Sequence, residues 1–334
     1  MKVQANASLR SLNSFGFEST ADELVIARNI DDLAIALDTT EPITILGEGT
    51  NVVLKPRIQG RVIKLAINEL SVSTTETDAV LVTAGAGVNW HELVRFSLGQ
   101  GIGGLENLAL IPGSVGAAPY QNIGAYGVEL DHVCEGVRVL DRVEKEVKTL
   151  PVGACEFTYR NSVFKSTLRD RFVICGLTVR LGTRELATHY RDVDTHVSTR
   201  SRSILSATGV AEIVVRIRRK KLPDPRKVGN VGSFFKNPIL TETDFDVLAE
   251  RLDIEGHRET VGLKVSAAQL IDEAGWKGVQ HDGAEVWPRQ PLVLVNRGSA
   301  TAKSMLELAS RIADDVHRRF AVELELEPEV LGNF

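Results

Sequence analysis

Residues 111–130 read IPGSVGAAPYQNIGAYGVEL. Gly113, Gly116, Gly124 and Gly127, with Pro112 and Pro119, are interleaved with small residues, so the stretch carries little side-chain bulk. Such a segment would pack poorly as an independent core element. Glycine lets a backbone turn sharply or approach a ligand closely. The composition therefore suits a backbone wrapped around a flat or extended ligand. Residues 101–110, GIGGLENLAL, supply another small-residue turn just before it.

A second glycine segment lies upstream, at residues 46–54, LGEGTNVVL. The apolar run at 43–46 predicts a strand leading into Gly47, Glu48, Gly49, Thr50 and Asn51. Glycines directly after a strand let backbone N–H groups point at an anion such as a phosphate. The third glycine and the following helix of a dinucleotide fingerprint are missing, as is the lysine of a phosphate-binding loop. Taken alone, the segment fits a plain turn between strands equally well.

The chain has 334 residues, 43% hydrophobic and 25% charged, enough for more than one core. Its formal charge of −5 makes it a poor candidate for sequence-independent nucleic-acid binding, which needs a basic field. Cys134, Cys155 and Cys175 show no metal-like spacing and are expected to be reduced, buried thiols. Residues 1–16 contain no apolar core segment, and no run approaches the ~18 apolar residues of a membrane span. The expectation is a cytoplasmic protein with no membrane partner.

Short apolar runs at 23–28, 43–46, 62–66 and 79–84 predict strands, as do 133–140 and 172–181. Trp90, Leu93, Val94 and Leu98 share a helical face, with Asn89 as N-cap. Val210, Ile213, Val214 and Ile217 predict another helix, which RRKKLPDP at 218–225 terminates. That basic run reads mostly as solvated cations at a helix C-terminus. Beyond it the pattern predicts a glycine-rich loop at 229–238, a helix at 267–274, a strand at 291–296 and a long helix through Met305, Leu308, Ile312, Val316 and Phe320. An alternating strand at 322–326 is expected to close the chain.

Three further segments offer chemistry. In FTYRNSVFK, 157–165, Arg160 presents a planar donor fork suited to a carboxylate or a developing enolate; an ordinary ion pair is the plainer reading. In GNVGSFFKNP, 229–238, Ser233 sits between a glycine and two phenylalanines, as a hydroxyl in a dry pocket would. It is not the G-x-S-x-G of a hydrolase, because Phe235 takes the last glycine position. LEPEV, 326–330, carries Glu327 and Glu329, which alone read as a solvated acidic terminus.

Together these segments resemble the UDP-N-acetylenolpyruvoylglucosamine reductase family. NSFG at 13–16, LGEGTN, IPGSVGAAPYQNIGAYG, YRNSVFK, KLPDP, GSFFKNP and EPEV occur in that family's order and approximate spacing. The resemblance implies an α+β chain: a two-subdomain FAD-binding fold of the vanillyl-alcohol-oxidase (PCMH) type, at 1–70 and 71–217, and a C-terminal α+β substrate-binding domain at 218–334. It implies FAD, held non-covalently, and NADPH as hydride donor. The reaction implied is reduction of UDP-N-acetylglucosamine enolpyruvate to UDP-N-acetylmuramate, in peptidoglycan precursor synthesis, by a monomer without a metal.

The family's roles fall on Arg160, which steadies the enol intermediate, Ser233, the proton donor, and Glu329, which completes the site. The FAD cradle falls on Gly47, Glu48, Gly49, Thr50, Asn51, Pro112, Gly113, Ser114, Gly116, Ala117, Ala118, Asn122, Ile123 and Gly124. Substrate contacts fall on Tyr126, Lys221 and Asn237, and on Tyr190, in the subclass with a tyrosine loop over the sugar nucleotide. Ala117 and Ala118 replace serines of some relatives, so hydroxyl contacts to the cofactor are lost there. His91 reads as a helix-face histidine rather than a flavin link, because LGEGTNVVL has no histidine. Two other functions compete: an FAD-dependent oxidase of the same superfamily and a non-catalytic sugar-nucleotide sensor. The oxidase has no use for GSFFKNP or EPEV, and both are present; the sensor would need no flavin and no proton donor.

Overall fold

The strand Phe172–Leu181 is apolar along nearly its whole length because both its faces are covered. In the computed structural model, which describes residues 2–75, 79–182, 185–197 and 205–334, it lies at the centre of a five-stranded antiparallel sheet. The order is Val147–Pro151, Cys134–Asp141, Phe172–Leu181, Val80–Gly85, Leu70–Thr74. Val173 and Cys175 enter one core, with Leu33, Ala36 and Ile63. Ile174, Leu177, Val179 and Leu181 enter another, with Trp90, Leu93, Val210 and Ile213. Strict alternation would put Ile174 and Leu177 on opposite faces. An irregular register opposite Arg138 and Val139 inserts Cys175 as an extra residue and resets the phase.

This sheet belongs to the first of two compact units, made of Met1–Ala7, Ala21–Glu48 and Gln59–Lys220. The unit also holds a four-stranded sheet in the order Val3–Ser8, Thr20–Ala27, Arg57–Leu65, Ile43–Leu46, whose last two strands run parallel. Asn89 caps the helix Trp90–Gly99 by accepting from the backbone N–H groups of His91 and Glu92. The helix Ala207–Lys221 buries Val210, Ala211, Ile213, Val214 and Ile217, the stripe its spacing predicts. Cys134, Cys155 and Cys175 are free and buried, and burial pushes their thiols up to about 12, 11 and 11 respectively.

The second unit comprises Ser8–Thr20, Gly49–Ile58 and Lys221–Phe334. Its main sheet is antiparallel, in the order Gly229–Ser233, Val293–Asn296, Ala284–Val286, Gln280–His281. The helices Ala267–Glu273 and Ala302–Phe320 share its core with Phe15, Phe17, Phe234 and Phe235. Each large apolar side chain buried there stabilises by about 1.5–3 kcal/mol. A smaller sheet orders Ile239–Leu240, Gly262–Lys264, His257–Glu259. Gly49 has φ +64°, and a Cβ there would lie 1.9 Å from the Leu12 carbonyl, so no side chain fits.

Two sequence expectations need correction. Residues 229–233 form a strand, not a loop, although the pairing of Gly229–Ser233 is irregular between Asn230 and Ser233. Residues 322–326 form no strand: among the described residues Leu326 makes an isolated bridge to Phe235. Val322 is nonetheless buried, with Leu324 and Leu326 packed beside the same core. Alternation reports which side of a chain is buried, whereas a ladder requires a partner strand in register. Ladder pairing begins at Glu329–Leu331, which runs parallel to Val52–Leu54.

Candidate active site

In the first unit, the ends of the two small-residue segments pack together. A Cβ on Gly47 would lie 2.6 Å from Ser114 Oγ. Asn89 Nδ2 donates to both carboxylate oxygens of Glu48 at 3.0 Å, while Asn89 Oδ1 caps its helix. Asn89 also bridges Ser114, and the Trp90 N–H donates to the Gly113 carbonyl at 2.8 Å. The Lys64 ammonium donates to the Gly47 carbonyl; burial lowers its pKa and Glu48 opposes that shift. Short 3-10 turns at Val115–Ala117 and Pro119–Gln121 carry the chain to Asn122. Small residues, a buried serine and one ammonium beside the Gly47 backbone suit a flat anionic ligand, so these residues fit FAD. His91 Nδ1 accepts from the Leu110 N–H at 3.0 Å, which gives this ring a structural task. Burial first, then Arg95, Arg219 and Arg218, lower its pKa and keep it neutral.

Arg160 sits at the tip of a tight turn in which Thr158 and Asn161 exchange backbone hydrogen bonds, both at 3.1 Å. Its φ of +53° is left-handed, a conformation that costs a non-glycine residue about 1 kcal/mol or more. The guanidinium donates to the carbonyls of Gly124 at 3.0 Å and Asn122 at 3.4 Å, and Glu129 Oε1 lies 3.8 Å from Nη1. These acceptors flank the hairpin of Gly124–Ala125 with Val128–Glu129. At its turn, Tyr126 meets Tyr190 edge-on, with ring centroids 5.4 Å apart and planes at 82°. Tyr126 also bonds to Arg218, and burial raises the pKa of its phenol. Arg218 Nε is buried without a hydrogen-bond partner among the described residues, and burial lowers the pKa of that guanidinium. The solvated reading of the basic run therefore fails for Arg218.

The second unit carries the remaining residues. Ser233 ends its strand after Gly232, whose φ is +77°, and precedes Phe234 and Phe235, both fully buried. Asn230 holds this bend: its Oδ1 accepts from the Gly232 N–H at 3.0 Å and its amide donates to the Val228 carbonyl at 2.8 Å. The Glu329 N–H donates to the Asn51 carbonyl at 3.1 Å, and Asn51 Nδ2 reaches the Glu327 carbonyl at 3.4 Å. Asn51 thus supports the Glu329 segment; Gly49 and Thr50 lie in the same unit, and Gly47 and Glu48 lie in the other. Asn237 Oδ1 accepts from the Ala267 N–H at 3.0 Å, at the start of a helix. The Lys221 carbonyl accepts from Trp287 Nε1 at 3.1 Å. Arg160, Tyr126 and Tyr190 belong to the first unit; Ser233, Glu329, Lys221 and Asn237 belong to the second.

Sequence reading missed Glu129, Lys64 and Arg218. Glu129 had a signal: it is the sole charged residue of 111–130. Lys64 lies within an ordinary apolar strand, and Arg218 lies among three other cations, so neither stands out by pattern.

Residues 224–331 match the family described as the C-terminal domain of UDP-N-acetylenolpyruvoylglucosamine reductase, and residues 21–149 match an FAD binding domain. The chain is 43% identical over 337 residues to the UDP-N-acetylenolpyruvoylglucosamine reductase of Cupriavidus pinatubonensis, covering 97% of each chain. It is 41% identical over 337 residues to that of Pseudomonas aeruginosa, covering 99% of each. The solved UDP-N-acetylenolpyruvylglucosamine reductase of Thermus caldophilus superposes with a TM-score of 0.70 at 24% identity, over 99% of this chain and all of that one, and shares its fold. Among the described residues, no helix is long and apolar enough to cross a membrane.

Proposed function

The chain belongs to the UDP-N-acetylenolpyruvoylglucosamine reductase family, and from that premise we propose how its residues divide the reaction. It is an FAD-containing oxidoreductase that reduces UDP-N-acetylenolpyruvoylglucosamine in peptidoglycan precursor synthesis. In our reading NADPH is the reductant, the enzyme is a cytoplasmic monomer with no nucleic-acid partner, and the product is UDP-N-acetylmuramate. Residues 1–70 and 71–217 serve flavin binding, and 218–334 serve the substrate.

Bound FAD supplies the hydride. Reduction of an enolpyruvyl ether leaves negative charge on the carbon beside the carboxylate and spread into it. Arg160 meets that charge with a permanent cation. The observation that carries this assignment is its strained backbone together with a guanidinium tied to the Gly124 and Asn122 carbonyls. A preorganised charge of this kind needs no reorganisation as the reaction proceeds. Ser233 then moves its proton to the carbon bearing the ether oxygen, and Glu329 completes the set by orienting Arg160 or the enol. Gly47, Glu48, Gly49, Thr50, Asn51, Pro112, Gly113, Ser114, Gly116, Ala117, Ala118, Asn122, Ile123 and Gly124 hold the cofactor; Tyr126, Tyr190, Lys221 and Asn237 hold the sugar nucleotide.

Two experiments test this reading. Purified protein should be yellow, and trichloroacetic acid should release the flavin into solution, since no histidine lies in LGEGTNVVL and His91 Nδ1 is engaged. Flavin remaining on the precipitate would overturn non-covalent binding. Tyr190 is 44% exposed and rests edge-on against Tyr126, the arrangement of a covering residue. Tyr190→Ala should weaken sugar-nucleotide binding by about 10-fold, the scale of one aromatic contact or hydrogen bond, with NADPH reducing the flavin normally. Unchanged substrate affinity with a slowed NADPH half-reaction would contradict it.

A further inference from the structure

We propose that Glu129 is the positioning residue of Arg160. This rests on the reading of Arg160 as the cation that meets the developing charge. The side chains of both residues are mostly enclosed, at 28% exposure for Glu129 and 16% for Arg160. Glu129 Oε1 stands 3.8 Å from Arg160 Nη1, and the other carboxylate oxygen accepts from Asn122 Nδ2 at 3.1 Å. Asn122 is fully buried, and its amide is anchored on both sides: Oδ1 accepts from the Asp131 N–H at 3.0 Å and Nδ2 donates to the Thr158 carbonyl at 3.3 Å. Thr158 belongs to the turn that carries Arg160. One amide therefore ties the carboxylate to the turn whose side chain that carboxylate faces.

An arginine side chain is long and has much rotamer entropy to lose, so its direction must be imposed by its neighbours. The two carbonyl bonds orient the guanidinium plane. The carboxylate adds a charge contact in a half-dry setting, where it is worth more than at an open surface. Glu129 also accepts from the backbone N–H of His132, capping the short turn Leu130–His132. Capping alone would affect stability, without acting through Arg160.

The two roles separate in stopped-flow measurements of the flavin on the holoenzyme, each half-reaction alone. Glu129→Gln keeps an acceptor for Asn122 and His132 but loses the charge. It is expected to slow reoxidation by UDP-N-acetylenolpyruvoylglucosamine by about 10-fold, and Glu129→Ala by up to about 100-fold, the cost of a small misplacement of a reacting group. Flavin reduction by NADPH should stay within about twofold. In an Arg160→Lys background, Glu129→Gln should add less than about twofold, because a positioning residue has nothing left to position. If Glu129→Gln reoxidises like the parent while Arg160→Lys is strongly slowed, the assignment of Glu129 is overturned and that of Arg160 stands. Multiplying effects in the double variant would equally overturn it. An Arg160→Lys enzyme that reoxidises at the parent rate removes the reading on which the proposal rests.

Discussion

Ser233→Ala is expected to leave flavin reduction by NADPH nearly intact and to slow reoxidation by UDP-N-acetylenolpyruvoylglucosamine by about 10³-fold or more. Hydride transfer into the flavin needs no proton from a side chain. Reduction of the enolpyruvyl group needs one, delivered to a single face of a carbanion-like centre. A positioned acid contributes ~10²–10⁴-fold, and more where water cannot take its place. The end of the strand Gly229–Ser233 is built to position this hydroxyl. Gly232 at φ +77° and the Asn230 Oδ1 acceptor fix the backbone before Ser233, and the fully buried Phe234 and Phe235 fix it after. A serine hydroxyl is a weak acid, so the step relies on a strongly basic acceptor. A thiol donates more readily, and Ser233→Cys should recover part of the lost rate. The change removes one oxygen from a half-buried residue, so folding is not at stake. Reoxidation of Ser233→Ala at the parent rate would show that Ser233 is not the donor.

Arg160→Gly separates stability from catalysis. Glycine adopts a φ of +53° without penalty, which returns about 1 kcal/mol of backbone strain and offsets the loss of the bonds to Gly124 and Asn122. The unfolding free energy should stay within about 1 kcal/mol of the parent. Substrate-driven reoxidation should fall by ~10²–10³-fold, the cost of removing a preorganised donor aimed at developing charge. Arg160→Lys retains a cation but not a planar fork that can hold two carbonyls at once, and should fall nearly as far. Denaturant titration and single-turnover flavin absorbance read the two quantities. A glycine variant that unfolds far more easily and keeps its reoxidation rate would assign Arg160 to structure.

Helices and most strands were legible because their signals are local. Val210, Ile213, Val214 and Ile217 repeat at helical spacing and are all buried, and Asn89 precedes its helix and caps it. The glycine segments were legible as places without side chains, and Gly47 and Gly49 indeed sit where a Cβ would collide. The alternation at 322–326 was legible as burial and misread as a strand, because a chain can bury every second residue while its pairing stops at one isolated bridge, Leu326 with Phe235.

By itself the sequence determined the family, through the order and spacing of seven motifs, and with it the cofactor and the reaction class. Tertiary structure alone decided the partners. It tied Asn89 to Glu48, Asn122 to Glu129, Tyr126 to Tyr190 and the Glu329 backbone to Asn51. It also placed Ser8–Thr20 and Gly49–Ile58 with the C-terminal residues, and it buried Arg218 Nε amid a run of cations. The physical reason is that spacing along a chain encodes which residues share a face. A hydrogen bond or ion pair is instead specified by what the rest of the fold brings opposite, and no local pattern records that.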